Sequence, residues 1–140
     1  SNFDVIKNSF YINKNEQDIL ASFRRPIVLL EKKKELESEF ISDFVAPCLN
    51  NIGFMLPYMG IHYLLFDLIG QKPLVYTSGN KSSIPMGIAK NKIFDQLQHL
   101  ADYFLLHNRK LYQRADDSVL RIQEDKIKII RKYKNIYVKR

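Results

Sequence analysis

The pattern of this chain predicts an α/β domain with a mixed sheet. Strand-like and helix-like segments alternate from Ile27 to Leu106. Two strand-like segments then follow one another, with only Gln123-Glu124-Asp125 between them. Alternation implies crossovers and parallel pairing, while a terminal hairpin implies antiparallel pairing. With 140 residues, 46% of them hydrophobic and 12% aromatic, the chain can bury a real core. No repeat, low-complexity segment or linker divides it, so one domain spanning residues 1–140 is expected.

Phe3, Ile6 and Phe10 have a helical spacing. Asn13, followed three positions later by Glu16, reads as a capping box opening a short helix through Leu20. Arg24-Arg25-Pro26 punctuates the chain, and Ile27 to Leu30 is a buried strand. Glu35 to Asp43 is polar, with Phe40, Ile41 and Phe44 on one side, and reads as a helix or a structured loop ended by Pro47. Ile52 to Leu56 is a strand stopped by Pro57. Ile61, Leu64, Leu65 and Leu68 define the apolar face of a helix ending at Gly70. Pro73 to Tyr76 is a further strand, ending abruptly in Thr77-Ser78-Gly79-Asn80. Ile93, Phe94, Leu97, Leu100 and Ala101 mark another helical face, with Asn91 as its cap. Tyr103 to Leu106 is a strand, and Val119 to Ile122 and Lys126 to Tyr133 complete the set.

Composition excludes several classes. The apolar stretch from Ile52 to Ile69 is broken by Pro57, His62 and Asp67 and is too short for a membrane span. Cys48 is the only cysteine, which rules out an internal disulfide and a thiolate-rich zinc site, fits a reducing cytoplasmic setting, and is expected to be a small buried residue. His62, His99 and His107 share no metal-ligand spacing. The net charge of +7 comes from the C-terminal segment: seven Lys or Arg and no Asp or Glu lie between Lys126 and Arg140. A basic face attracts nucleic acid, lipid or small anions. The same lysines on an edge strand would discourage edge-to-edge pairing.

Several blocks occur together in one order. They are Arg25-Pro26-Ile27-Val28-Leu29-Leu30, Ala46-Pro47 with Ile52-Gly53-Phe54-Met55-Leu56-Pro57-Tyr58, Ile61-His62 with Leu64-Leu65, and Pro73 to Asn80. Phe104 to Arg109 and Arg114-Ala115-Asp116-Asp117-Ser118-Val119 complete them. Together they resemble the YrdC-like domain of the HypF-type carbamoyltransferases, which mature nickel–iron hydrogenases. The resemblance implies a twisted mixed sheet flanked by helices. It implies ATP as substrate, a carbamoyl donor, carbamoyl adenylate as product, and a partner protein whose C-terminal cysteine receives the carbamoyl group. The block from Met55 to His62 is closer to this branch than to the YrdC-like proteins that form threonylcarbamoyl adenylate for tRNA. A non-catalytic nucleotide- or RNA-binding module using the basic tail, with weak RNA contact, is the reading from another class. The family's first segment, a Lys-x-Arg element for the phosphates, has no counterpart before Phe3, so an N-terminally truncated, inactive domain is expected.

Forming an acyl adenylate joins a weak oxygen nucleophile to the α-phosphorus of ATP and expels pyrophosphate. The protein supplies position, donors and cations, with no covalent nucleophile. The resemblance places Ser78 and Asn80, a Ser-x-Asn turn, together with Ser118 and Arg131, at the nucleotide and its phosphates. Pro57, Tyr58 and Arg114 are further pocket candidates. Asp116-Asp117 can hold Mg2+ through carboxylate oxygens, although paired acids before a strand more often cap or stay solvated.

Overall fold

The computed structural model describes residues 3–33, 41–70, 72–81, 84–87, 89–108 and 116–132. By internal packing the chain forms two compact units, one of Ser1–Leu74 with Asp116–Arg140 and one of Val75–Ala115.

The first unit holds the sheet. Helix α1 (Phe3–Ser9) leads into the short β1 (Phe10–Tyr11). Helix α2 (Lys14–Ala21) opens on the capping box read from the sequence. Asn13 Oδ1 accepts from the Glu16 N–H at 2.9 Å, and Glu16 Oε2 accepts from the Asn13 N–H at 2.8 Å. Two otherwise orphaned donors are thereby satisfied at the helix start. Arg25 then takes a positive φ of 42°, and its guanidinium donates to the Leu20 carbonyl at 3.3 Å.

Strand β2 (Ile27–Lys32) is the centre of the sheet. It pairs antiparallel with β3 (Asn51–Phe54) along Val28 to Glu31, and antiparallel with β1 at its far end. It pairs parallel with β4 (Val119–Gln123) through Ile27 and Val28. The hairpin of β4 with β5 (Lys126–Arg131) extends the sheet. The mixed sheet expected from the sequence is therefore formed, and α2 packs on β2 and β4. Phe10, Leu20, Val28 and Leu30 are fully buried, joined by Ile6, Ala46, Ile52, Leu56 and Leu120. The ring of Phe10 meets Phe54 edge-on at 4.7 Å. Gly53 lets the β3 backbone lie against Ile27, where a Cβ would come within 2.8 Å of Ile27 Cγ2.

Several sequence expectations are corrected. Pro73 to Tyr76 and Tyr103 to Leu106 form no strand, and most of their side chains are exposed. Their β-branched and aromatic content favours a pleated surface, but a strand needs a partner to pair with. Helix α3 (Gly60–Ile69) ends at Gly70 as expected, yet Ile61, Leu64 and Leu68 of its apolar face are exposed and His62 is the buried residue. Helix α4 (Lys90–Leu97), in the second unit, is preceded by Ala89 at its cap position, with no side-chain cap from Asn91. Cys48 is exposed, in a turn at φ 60°. Most of the Glu35–Asp43 segment, and the strand expectation beyond Lys132, lie outside the described residues.

Candidate functional site

Ser118 sits at the entrance of β4, buried to 7% exposure. Its carbonyl accepts from the Ile27 N–H at 2.9 Å, the bond that ties the start of β4 to the start of β2. Arg131, the last residue of β5, lies opposite Val119 in the ladder. Its Nε donates to the Asp117 carbonyl at 3.3 Å. The fold therefore brings two of the expected phosphate-binding residues, Ser118 and Arg131, to one end of the β4–β5 hairpin. Arg131 is exposed. Asp116 and Asp117 are both exposed. Among the described residues, no three His, Cys, Asp or Glu side chains come together as a metal-binding group.

Pro57 and Tyr58 form the lead-in to α3. The Tyr58 N–H donates to His62 Nδ1 at 3.4 Å, and the two rings meet edge-on at 4.9 Å. Tyr63 Oη donates to the Pro57 carbonyl at 3.2 Å. A histidine in the third helical position thus reaches back over the helix start, as a glutamate does in a capping box. His62, rather than a leucine of the apolar face, is the buried residue of α3. The sequence offered a signal for it: His62 stands at N3, counted from Gly60, in a helix lacking a Ser, Thr, Asp or Asn cap.

In the second unit the Ser-x-Asn turn is tightly drawn. The Asn80 N–H donates to the Ser78 carbonyl at 2.9 Å. Asn80 Nδ2 donates to the carbonyls of Lys81 at 3.1 Å and Ile84 at 2.7 Å. Those two acceptors fix which way the carboxamide points, because the flipped amide would set oxygen against oxygen. Oδ1 is then buried, with no hydrogen-bond partner among the described residues. Gly79 lies beside Leu97 of α4, where a Cβ would sit 3.5 Å from Cδ1. Ser78 is exposed. The side-chain donors of Asn80 are therefore engaged by its own loop, and the hydroxyl of Ser78 is the polar group this turn presents to solvent. Arg114 lies outside the described residues. No helix among the described residues is long and apolar enough to cross a membrane.

A family model described as Telomere recombination, Sua5_yciO_yrdC, matches residues 2–132. The chain is 42% identical over 122 residues to a probable carbamoyltransferase HypF of Methanocaldococcus jannaschii, taking in 86% of this chain and 15% of that protein. The crystal structure of T. kodakarensis HypF superposes with a TM-score of 0.85 at 41% identity, over 94% of this chain and 17% of that one. A full-length HypF crystallised in a phosphate- and nucleotide-bound form superposes with a TM-score of 0.79 at 39% identity, over 94% of this chain and 20% of that one. The chain spans no more than 20% of the length of any of these three relatives. It belongs to the Sua5/YciO/YrdC family.

Proposed function

We propose that this chain is a partial YrdC-like domain of a carbamoyltransferase that forms carbamoyl adenylate from ATP and a carbamoyl donor. The adenylate would serve cyanide-ligand synthesis in nickel–iron hydrogenase maturation, in the cytoplasm, with the carbamoyl group passing to a partner protein's C-terminal cysteine. One observation carries this reading: 94% of the chain matches a HypF whose structure holds phosphate and nucleotide. The HypF names of the relatives favour it over the tRNA-modifying branch.

In the reaction, an oxygen of the carbamoyl-bearing acid attacks the α-phosphorus, a P–O bond forms, and pyrophosphate leaves with the electron pair of the broken P–O bond. Charge grows on phosphate oxygens, and donors already aimed at that charge lower the barrier. Arg131 offers guanidinium N–H groups in a fixed fork that suits a phosphate. In the first unit the Ser118 hydroxyl would add a donor beside Arg131. In the second unit, taken by itself, Ser78 would be the phosphate donor, on a loop whose shape Asn80 holds. Pro57 and Tyr58 in the first unit would contact the nucleotide, and Arg114 remains a candidate by the resemblance alone. Mg2+ would arrive with the ATP phosphates. RNA contact by the basic β5 would be weak and salt-sensitive.

The test is calorimetric titration of ATP and of a non-hydrolysable carbamoyl-adenylate analogue into the chain, with Arg131→Ala and Ser118→Ala alongside. Saturable binding that falls about tenfold in Arg131→Ala is expected, the size of one lost charge-assisted contact. Tighter binding of a threonylcarbamoyl-adenylate analogue would move the chain to the tRNA branch. Wild-type affinity in both variants would remove these two residues from the site.

A further inference from the structure

The hairpin carries a feature that nucleotide binding does not use. Among the described residues β5 pairs only with β4, and all six β5 residues are exposed. Glu124 and Asp125 at its turn both take positive φ, 51° and 57°, the signature of a two-residue turn with mirror-image geometry. Such a turn makes Gln123 and Lys126 the first hydrogen-bonded pair, so Ile127 and Ile129 direct their N–H and C=O groups to the outer side.

The two faces of this edge differ. Leu120 opposes Ile129 and Ile122 opposes Ile127, and Leu120 is buried in the core. That face therefore reaches the edge as apolar surface, with Ile127 53% and Ile129 41% exposed. On the other face Arg121 opposes Lys128, Gln123 opposes Lys126, and Val119 opposes Arg131. Like charges placed directly opposite one another repel. Lys128 Nζ donates to Gln123 Oε1 at 2.8 Å and Arg131 to a backbone carbonyl. Among the described residues, none of Lys126, Lys128 and Arg131 has a carboxylate partner.

We propose that the outer edge of β5 docks an acidic β-strand of a partner protein, one that alternates carboxylates with apolar residues. Such a strand would continue the ladder on the outward N–H and C=O groups of Ile127 and Ile129. Its apolar side chains would cover those isoleucines, and its carboxylates would stand beside Lys126 and Lys128, leaving Arg131 to the nucleotide. A second copy of β5 fits poorly, because self-pairing sets cation against cation. A nucleic acid would use the cations and leave the open edge and the isoleucines unused. The acidic strand answers all three features.

The probe is a blocked peptide of about six residues, matched to a typical strand, alternating glutamate with valine. A control peptide carries lysine for glutamate. Calorimetry and amide hydrogen exchange on the chain should give saturable binding of the glutamate peptide and slowed exchange at Ile127 and Ile129. Affinity should fall at least about tenfold in the Lys126→Glu/Lys128→Glu variant, as for truncated rim charges acting together. Circular dichroism checks that this variant folds; the milder Lys128→Gln, which should lose a smaller fraction of affinity, decides the matter if it does not. Three results would each overturn the proposal: no saturable binding, equal binding of the lysine peptide, or binding without protection of the two isoleucine amides. Displacement of the peptide by a lower concentration of an RNA oligonucleotide would reassign the surface to nucleic acid and overturn it as well.

Discussion

Asn13 and Glu16 satisfy each other's backbone N–H at the start of α2, and both were legible as a pair three residues apart. Replacing Asn13 with Ala removes the acceptor of the Glu16 N–H, so Asn13→Ala should cost about 1 kcal/mol of stability in urea denaturation. Gly53 is a different case. Its need for a missing Cβ comes from Ile27, distant in sequence, which no local pattern reveals. Gly53→Ala should cost about 1–3 kcal/mol, as overpacking does, and should shift the urea midpoint without changing the slope. The proposed site residues show the same division. Ser78, Asn80, Ser118 and Arg131 are singled out by a resemblance of motifs. That the Asn80 amide is engaged by Lys81 and Ile84, and that Arg131 holds the Asp117 carbonyl, depends on loop geometry that the motif does not encode.

Elements were legible where the local pattern and the tertiary partner agree. Strand β2 is an apolar run with strands paired along both of its edges, and the β4–β5 hairpin declares itself by alternation around a polar turn. Helix α3 was read with the right end, but its apolar spacing presumes a neighbour to cover it; Ile61, Leu64 and Leu68 remain exposed here. The stretches at Pro73 and Tyr103 have strand composition without a strand to pair with among the described residues. In the hairpin, the opposed Arg121 and Lys128 are both exposed. Reversing one charge should turn repulsion into attraction. Lys128→Glu is expected to raise stability by about 0.5 kcal/mol at low salt, with the gain shrinking as salt is added. A thermal melt at two ionic strengths measures it.

At the scale of the molecule, the burial is uneven. Every residue in the core cluster belongs to the first unit. In the second, no described residue is fully buried, and α4 has no buried side chain. Local opening is cheap where few apolar groups are lost from water. Native-state hydrogen exchange should therefore find the β2 amides slowest and those of α4 faster by orders of magnitude; equal protection of the two would contradict this distribution of stability. The turn at Cys48 bears on how any such measurement is prepared. One thiol per molecule, facing solvent, accepts a maleimide dye in a one-to-one ratio with no substitution in the chain. Left in air, the same group can couple two chains, and a titration would then count covalent pairs as single binders unless a reductant is present.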